Sequence, residues 1–426
     1  MRVYVLLAST ALLAACGGGG AQTIVSAPPP VAGPSNPSQP TGPNSTQHTF
    51  ANPTQAKTYQ GLGGNHILEY LTDERECCDQ QGELYAGNTT TPRNSTMQIA
   101  YDPADAIYTL TIADNQSGIN TQARFQDPAS RTDFDGTKTP QWGTPQFGNQ
   151  NVRYLQAGDG DPRSPSGYSG SGFVSPGNIN IPPSGGVNSA YQATSIFVIQ
   201  PGTETQYVTL GGFTRNDMNF IELITERVDE NGNTIQVPFD ATEWRASRGV
   251  FAFGESTGFD DVPTVGTGSY SGSMWASMVF NPTLDGQDPT GFNDLPNYFQ
   301  WVEGTAALAI DFAAGAFTID LDGTAMAPQF DYWTDPQTSV INAGASFTAS
   351  GRGDINLVSF GGFKGFFDSA SFQDPVNGRR DINIAGSTVD GTFYGPGGEE
   401  VGGGFRIVGG NPDERIDIVG GFIGGK

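Results

Sequence analysis

Gly391-Thr392-Phe393-Tyr394-Gly395-Pro396, Glu400-Val401-Gly402-Gly403-Gly404-Phe405 and Gly420-Gly421-Phe422-Ile423-Gly424-Gly425-Lys426 are three short apolar runs, each interrupted by glycine. A half-buried strand prefers Val or Ile, and glycine there gives up side-chain packing and adds backbone entropy to be lost on folding. Repeated glycine inside strands therefore marks bends, bulges or close backbone approach, as at the corners of a closed barrel. Gly-Gly-Phe begins at Gly211, Gly361, Gly403 and Gly420. The spacing is irregular, which argues against a solenoid or propeller and for recurrent barrel or sheet corners.

Upstream of this run the residues alternate. Phe317-Thr318-Ile319-Asp320-Leu321-Asp322 changes from apolar to polar at each step, and Leu308, Ile310 and Phe312 share one face opposite Ala309 and Asp311. Ile416 and Ile418 stand opposite Asp417 and Val419, and Ile382 and Ile384 alternate with Asp381 and Asn383. Such runs recur near 264–280, 302–313, 316–322, 346–358, 362–372, 386–394, 400–408 and 415–425, which predicts eight strands. Eight is the number at which a small barrel can fill itself with side chains, and closure removes exposed edges. Asp320-Leu321-Asp322-Gly323 reads as the end of a strand with Gly323 in the turn. Arg352-Gly353-Asp354 reads as the start of a strand, not as an adhesion tripeptide. Earlier in the chain, Ile107 to Ile112 alternates, and Ile221 to Val228 and Ile235 to Phe239 flank an Asn-Gly turn as a hairpin would. Asp229-x-Asn231-x-Asn233 belongs to that turn; it lacks the glycine of a calcium loop at position six, where Thr234 stands. The stretch 127–189 has little periodicity, with aromatics at Phe134, Trp142, Phe147, Tyr154, Tyr168 and Phe173, and is expected to be a long irregular loop.

The terminal run resembles the C-terminal signature of transferrin-binding protein B-like β-barrel surface lipoproteins. In these a Gly-x-Phe-Tyr-Gly-Pro turn precedes Glu-x-Gly-Gly-x-Phe and a terminal Phe-Gly-Ala-Lys. The chain departs from it at Ile423-Gly424-Gly425-Lys426. Gly249 to Gly254 through Gly268 to Gly272 is similar to the passage between the two parts of one lobe of that family. The resemblance implies an all-β fold in which a strand-rich, handle-like domain (50–260) is followed by a C-terminal eight-stranded antiparallel β-barrel (261–426), as a single lobe.

The N-terminus carries the address. Met1-Arg2 is a short positive start, Val3 to Ala11 is an apolar run with a few hydroxyls, and Leu13-Ala14-Ala15-Cys16 resembles a bacterial lipobox. This implies a signal peptide over 1–15, lipidation of Cys16, and an outer-membrane location on the cell surface, with the membrane reached only through the lipid anchor. Residues 16–49, rich in Gly, Pro, Ser, Thr, Asn and Gln, cannot bury enough apolar area to fold, and form a tether reaching on the order of 30 Å. Of the three cysteines, Cys77 and Cys78 remain. An oxidising compartment favours pairing, yet adjacent Cα atoms lie about 3.8 Å apart, short of the usual disulfide range. A strained disulfide between Cys77 and Cys78, free thiols and an intermolecular link all stay open.

With 44 acidic against 20 basic side chains, the formal net charge of −24 disfavours nucleic acid and anionic lipid surfaces. Only His48 and His66 are present, and neither follows Ser256 in Gly254-Glu255-Ser256-Thr257-Gly258, so this is a turn and not a nucleophile elbow. No zinc-protease, Walker or dinucleotide motif occurs. No catalytic, metal or cofactor residues are assigned. The resemblance implies a non-enzymatic binder that captures an iron carrier, haem source or other solute or protein ligand for a TonB-dependent outer-membrane transporter. The aromatics of 127–189 and Asp288-Pro289-Thr290-Gly291-Phe292 are the expected places of contact. The rivals are a structural or adhesive surface lipoprotein, a glycan hydrolase with paired carboxylates, and an integral outer-membrane barrel.

Overall fold

The structure is a computed structural model that describes residues 49–73, 80–86, 95–103, 107–114, 119–125, 146–156, 190–281, 298–327, 341–410 and 415–426. Cys16, Cys77, Cys78, His48, Phe134, Trp142, Tyr168, Phe173 and residues 288–292 lie outside the described residues. Among the described residues no helix is long and apolar enough to cross a membrane.

Nine antiparallel strands form a first sheet: β1 (Lys57–Asp73), β2 (Gln80–Ala86), β3 (Met97–Asp102), β4 (Ile107–Asp114), β5 (Ile119–Phe125), β6 (Val152–Gln156), β7 (Ala190–Ile199), β8 (Val208–Val228) and β9 (Thr234–Gly254). Their order is β5-β4-β3-β1-β9-β8-β7-β6. The long strand β1 changes partners along its length, pairing with β3 through Lys57–Gly61 and with β2 through His66–Thr72. It keeps β9 on its other edge from Leu62 to Asp73.

Residues 225–237 separate from the rest by their contacts. Within this piece Asp229 accepts the N–H groups of Asn231 (2.9 Å) and Asn233 (2.8 Å), and Gly232 takes φ +82°, so the turn is the expected hairpin. Those hydrogen bonds from Asn233 and Asn231 hold the Asp229 carboxyl below its usual range.

The second sheet contains β10 (Thr267–Asn281), β11 (Tyr298–Asp311), β12 (Ala316–Ala325), β13 (Ser346–Asn356), β14 (Gly362–Asp374), β15 (Gly378–Asp381), β16 (Ile384–Tyr394), β17 (Glu400–Gly409) and β18 (Arg415–Gly425). β10 to β14 follow one another, β14 continues to β16, β17 and β18, and β18 returns to β10 with Met274 opposite Phe422. The result is a closed eight-stranded antiparallel barrel, with β15 as a short flap on β14. All eight runs predicted from periodicity are its staves.

On β12 and β13 the alternation reads directly. Phe317, Ile319, Leu321, Phe347 and Ala349 point into the barrel and their neighbours face solvent. Two readings change. β12 does not end at Gly323: that residue pairs with Gly304 on one side and Phe347 on the other, and the strand continues to Ala325. A Cβ at Gly323 would stand 2.9 Å from Val302 Cγ1, so the glycine serves packing and not a turn. Arg352-Gly353-Asp354 lies in the latter half of β13, not at its start, with Arg352 paired to Asp368 of β14 at 3.2 Å.

Three of the four Gly-Gly-Phe triplets are not corners either; the exception begins at Gly361, which takes φ +78° in the turn before β14. Gly403-Gly404-Phe405 of β17 and Gly420-Gly421-Phe422 of β18 lie side by side in opposite directions, so that Phe405 meets Gly420 and Phe422 meets Gly403. A Cβ at Gly420 would come within 2.4 Å of the Phe405 ring. Phe363 stands in the same way over Gly391, and Phe213 over Gly249. Each ring occupies the space that a missing side chain leaves on the adjoining strand; in the barrel these glycines fit large aromatics into a narrow interior, and Gly249 does the same for Phe213 in the first sheet.

Candidate functional site

β17 and β18 are buried on both faces, and the sequence does not announce this. Ile416 and Ile418 fill the barrel, while Asp417 and Val419, expected on the solvent side, are also fully buried. The first sheet covers that outer face. Phe147, Phe197, Val208, Leu210, Val250 and Ala252 of its side pack with Trp275, Trp301, Tyr394 and Ile423 of the barrel. Gly404 lies directly on Gly63, where a Cβ would stand 2.5 Å from the Gly63 Cα. The glycines of the terminal signature thus permit sheet to lie on barrel, as well as strand on strand.

Two carboxylates of the barrel fasten connections of the first sheet. Glu400, at the start of β17, accepts the backbone N–H groups of Gln206 (2.6 Å), Tyr207 (2.8 Å) and Val208 (3.1 Å). Burial pushes its carboxyl above the usual range, and the three donors pull against that shift. Glu303 of β11 accepts from Gly148 (2.8 Å) and Asn149 (3.2 Å). This holds Phe147 against Trp275, with ring centroids 4.3 Å apart and nearly parallel. Phe147 and Tyr154, expected among ligand-contact aromatics, are therefore core residues, each 1% exposed. Burial pushes the Tyr154 hydroxyl up to about 12. Replacing Glu400 by alanine would leave three backbone donors without their acceptor. The expected loss is about 2–3 kcal/mol of stability in chemical denaturation, with Glu400→Gln keeping part of it.

At the centre of the seam sits a charged cluster. His66 Nε2 lies 3.0 Å from Asp417 Oδ1, His66 Nδ1 lies 3.5 Å from Ser277 Oγ, and Arg406 reaches both Asp417 oxygens at 3.1 and 2.9 Å. Serine, histidine and aspartate in this order have the composition of a hydrolase triad, but none of the three is more than 1% exposed. No substrate carbonyl can reach Ser277 Oγ in this arrangement, and Arg406 shares the carboxylate that would orient the imidazole. Burial alone would raise the Asp417 carboxyl, yet the hydrogen bonds and charges of His66 and Arg406 hold it well below the ordinary range. The cluster joins sheet to barrel.

The connector between the two parts is tied to both. Glu255 N–H donates to Tyr207 O (2.7 Å), Gly395 N–H to Glu255 O (3.0 Å) and Thr257 N–H to Phe393 O (2.8 Å). Ser256, as expected, is held in backbone pairing, here with Tyr394, and not displayed as a nucleophile.

Beside Glu255 lies a cleft of about 70 Å³ on the first sheet, its ring walls each at most 5% exposed. Phe50, Tyr59, Tyr101, Tyr108 and Phe253 line it with Pro53 and Pro201. Phe50 meets Tyr59 edge-on at 5.3 Å and Phe253 at 5.8 Å, and Tyr101 lies 5.1 Å from Tyr108. The register explains the last pair, since Tyr101 of β3 is directly opposite Tyr108 of β4. The Lys57 ammonium is ion-paired to Glu255 at the rim and stands 5.4 Å from the centre of the Tyr59 ring, while the Tyr59 hydroxyl donates to Glu255 at 3.3 Å. Burial first, then Glu255 for Tyr59 and Asp102 for Tyr101, push both phenols well above their usual range, so they stay neutral donors. Sequence reasoning missed this site. The signal was available in Tyr101 and Tyr108 placed symmetrically about Asp102-Pro103-Ala104-Asp105-Ala106-Ile107.

No family model matches the chain, and no curated protein matches it. Among solved structures, the chain is similar to intact Ap-TbpB (N and C lobes), with 12% identity over 88% of this chain and 79% of that one and a TM-score of 0.25. Transferrin Binding Protein B from Haemophilus parasuis Hp5, as a Tyr-167-Ala and Trp-176-Ala double mutant, gives 12% identity over 87% and 76%, with a TM-score of 0.26. A Pseudomonas aeruginosa FadL homologue gives 9% identity over 88% and 91%, with a TM-score of 0.21. The fold described above stands on the strand pairing itself.

Proposed function

We propose that the chain is a surface lipoprotein of the outer membrane, anchored through Cys16, that captures an iron carrier, haem source or other solute and passes it to a TonB-dependent transporter without bond chemistry. The observation that supports this reading most is the seam. It joins a sheet and a closed barrel through buried charges and close glycine contact, and spends the chain's Ser-His-Asp grouping on holding the two together. Such a scaffold suits presentation of binding loops, which a rigid support positions at low entropic cost on binding. The sequence before residue 50 supports the same reading: a lipobox-like Leu13-Ala14-Ala15-Cys16 and a Pro- and Gly-rich tether would keep the lobe near the membrane at high effective concentration. In this reading domain 50–260 and barrel 261–426 act as one lobe. Residues 127–189 and 288–292 supply contacts through segments other than Phe147 and Tyr154.

The test is retention of ligand by the immobilised chain from growth medium or host fluid, identified by mass spectrometry, together with uptake by a deletion strain. Specific retention of an iron- or haem-bearing species, and slower uptake of that species without the chain, is the expected result. Normal uptake with lost adhesion, or release of cleaved glycan from the medium, would overturn it. Labelling with a radioactive fatty acid that is abolished by Cys16→Ser checks the anchor.

A further inference from the structure

We propose that the aromatic cleft of the first sheet binds a small organic cation, of the quaternary or alkylated ammonium class. This stands apart from the capture reading above: it rests on different residues, and either idea can fail alone.

The walls of the cleft are the rings of Phe50, Tyr59, Tyr101, Tyr108 and Phe253, drawn from four strands and the segment before β1. Ring faces carry negative potential and attract a cation within about 6 Å of the centroid, more strongly where water is excluded. A neutral apolar guest would be served as well by aliphatic walls, whereas here aromatics supply five of the lining residues. The rim supplies the matching sign. Glu255 accepts from the Tyr59 hydroxyl, and Asp102 follows Tyr101 directly in β3. The free space of about 70 Å³ accommodates on the order of five waters, which suits a trimethylammonium head.

The structure also shows how a cation behaves at this place. The Lys57 ammonium stands over the Tyr59 ring and pairs with Glu255, at the edge of the cleft and not in it. A side chain of this chain thus occupies the outer part of the position that a ligand cation would take. Binding would displace the Lys57 ammonium outward into water, where it is already substantially exposed, at 42%. A methylated ammonium is the better guest, because it gives up hydration more readily than a primary ammonium does and fills the space with methyl groups.

The test is calorimetric titration of the full-length chain, held in maltoside micelles, with choline and with its neutral isostere 3,3-dimethylbutan-1-ol. Choline should bind and the alcohol should bind about tenfold more weakly or not at all, the margin expected of a partly desolvated cation–π contact. Lys57→Ala, an exposed change that leaves the fold intact, should tighten choline several-fold by removing the competing ammonium. Tyr59→Leu should weaken choline about tenfold while Tyr59→Phe retains it, each variant being checked for native circular dichroism. Equal binding of choline and the alcohol would overturn the proposal, as would weaker choline binding in Lys57→Ala. It is equally overturned by no choline binding in either the parent or Lys57→Ala, or by choline binding that Tyr59→Leu leaves unchanged in folded protein.

Discussion

Asp417→Ala is expected to lower the stability of the chain by about 3–5 kcal/mol, the range for removing one partner of a buried ion pair. The magnitude follows from what is left behind. Arg406 would keep its charge in the seam without the carboxylate that accepts from it at 3.1 and 2.9 Å, and His66 would lose the partner of its Nε2. Urea unfolding of parent and variant, with an unchanged slope and a lowered midpoint, measures it. The same substitution has a pH signature with a fixed sign. In the folded protein the Asp417 carboxyl is held well below its ordinary 3.8, so the unfolded chain binds its proton more readily and stability rises with pH across that interval. The contribution is complete above about pH 4 and is lost as the pH falls below it. The gap between parent and variant should therefore be widest near neutrality and narrow steadily below about pH 4. A gap that stayed constant down to acid unfolding would show that Asp417 holds the seam by shape and not by charge.

Gly404→Val is expected to cost about 3 kcal/mol, at the upper end for overpacking. The new Cβ would fall 2.5 Å from the Gly63 Cα, and backbone, unlike a flexible side-chain tip, cannot swing aside. Gly63 has no room to retreat, because a Cβ there would itself lie 1.9 Å from Val250 O. Relief comes only by lifting the first sheet off β17, which exposes Trp275, Phe147 and the charged cluster together. The readout is a lowered unfolding midpoint with faster proteolytic cleavage of the connector after Gly254. Gly386→Val is the control: a Cβ at that position meets nothing within 4 Å, and the change should stay within about 0.5 kcal/mol. If the two valines behaved alike, the close glycine contact would not be what seats sheet on barrel.

The barrel was legible because its outward face on one side is wet. Along β12, Thr318, Asp320 and Asp322 alternate with Phe317, Ile319 and Leu321, and period two fixes the strand and its inner face together. On β18 the same rule finds the strand and misassigns its second face. Asp417 is the residue type that marks solvent, and the partners that make its burial tolerable are His66, 351 positions away, and Arg406 on β17. Local pattern carries no information about such a partner. The glycine triplets fail for a related reason: glycine shows that something comes near, but whether this is a turn, a neighbour's ring or another sheet is decided by register. Gly420 is explained by Phe405 and Gly404 by Gly63, and neither pairing is local. The cleft lies between these extremes. Its Tyr101–Tyr108 pair could be read from one hairpin, whereas Phe50, Tyr59 and Phe253 join it only through the sheet order.

The ring is shut by β18 meeting β10, and β18 also bears the aspartate that answers His66 on β1. During synthesis the stave that completes the circle emerges after every other one, so β10 and β17 wait with unsatisfied edges and the docking surface stays loose until it arrives. A product stopped short of residue 415 would keep both of those edges open, and open edges invite pairing with other chains.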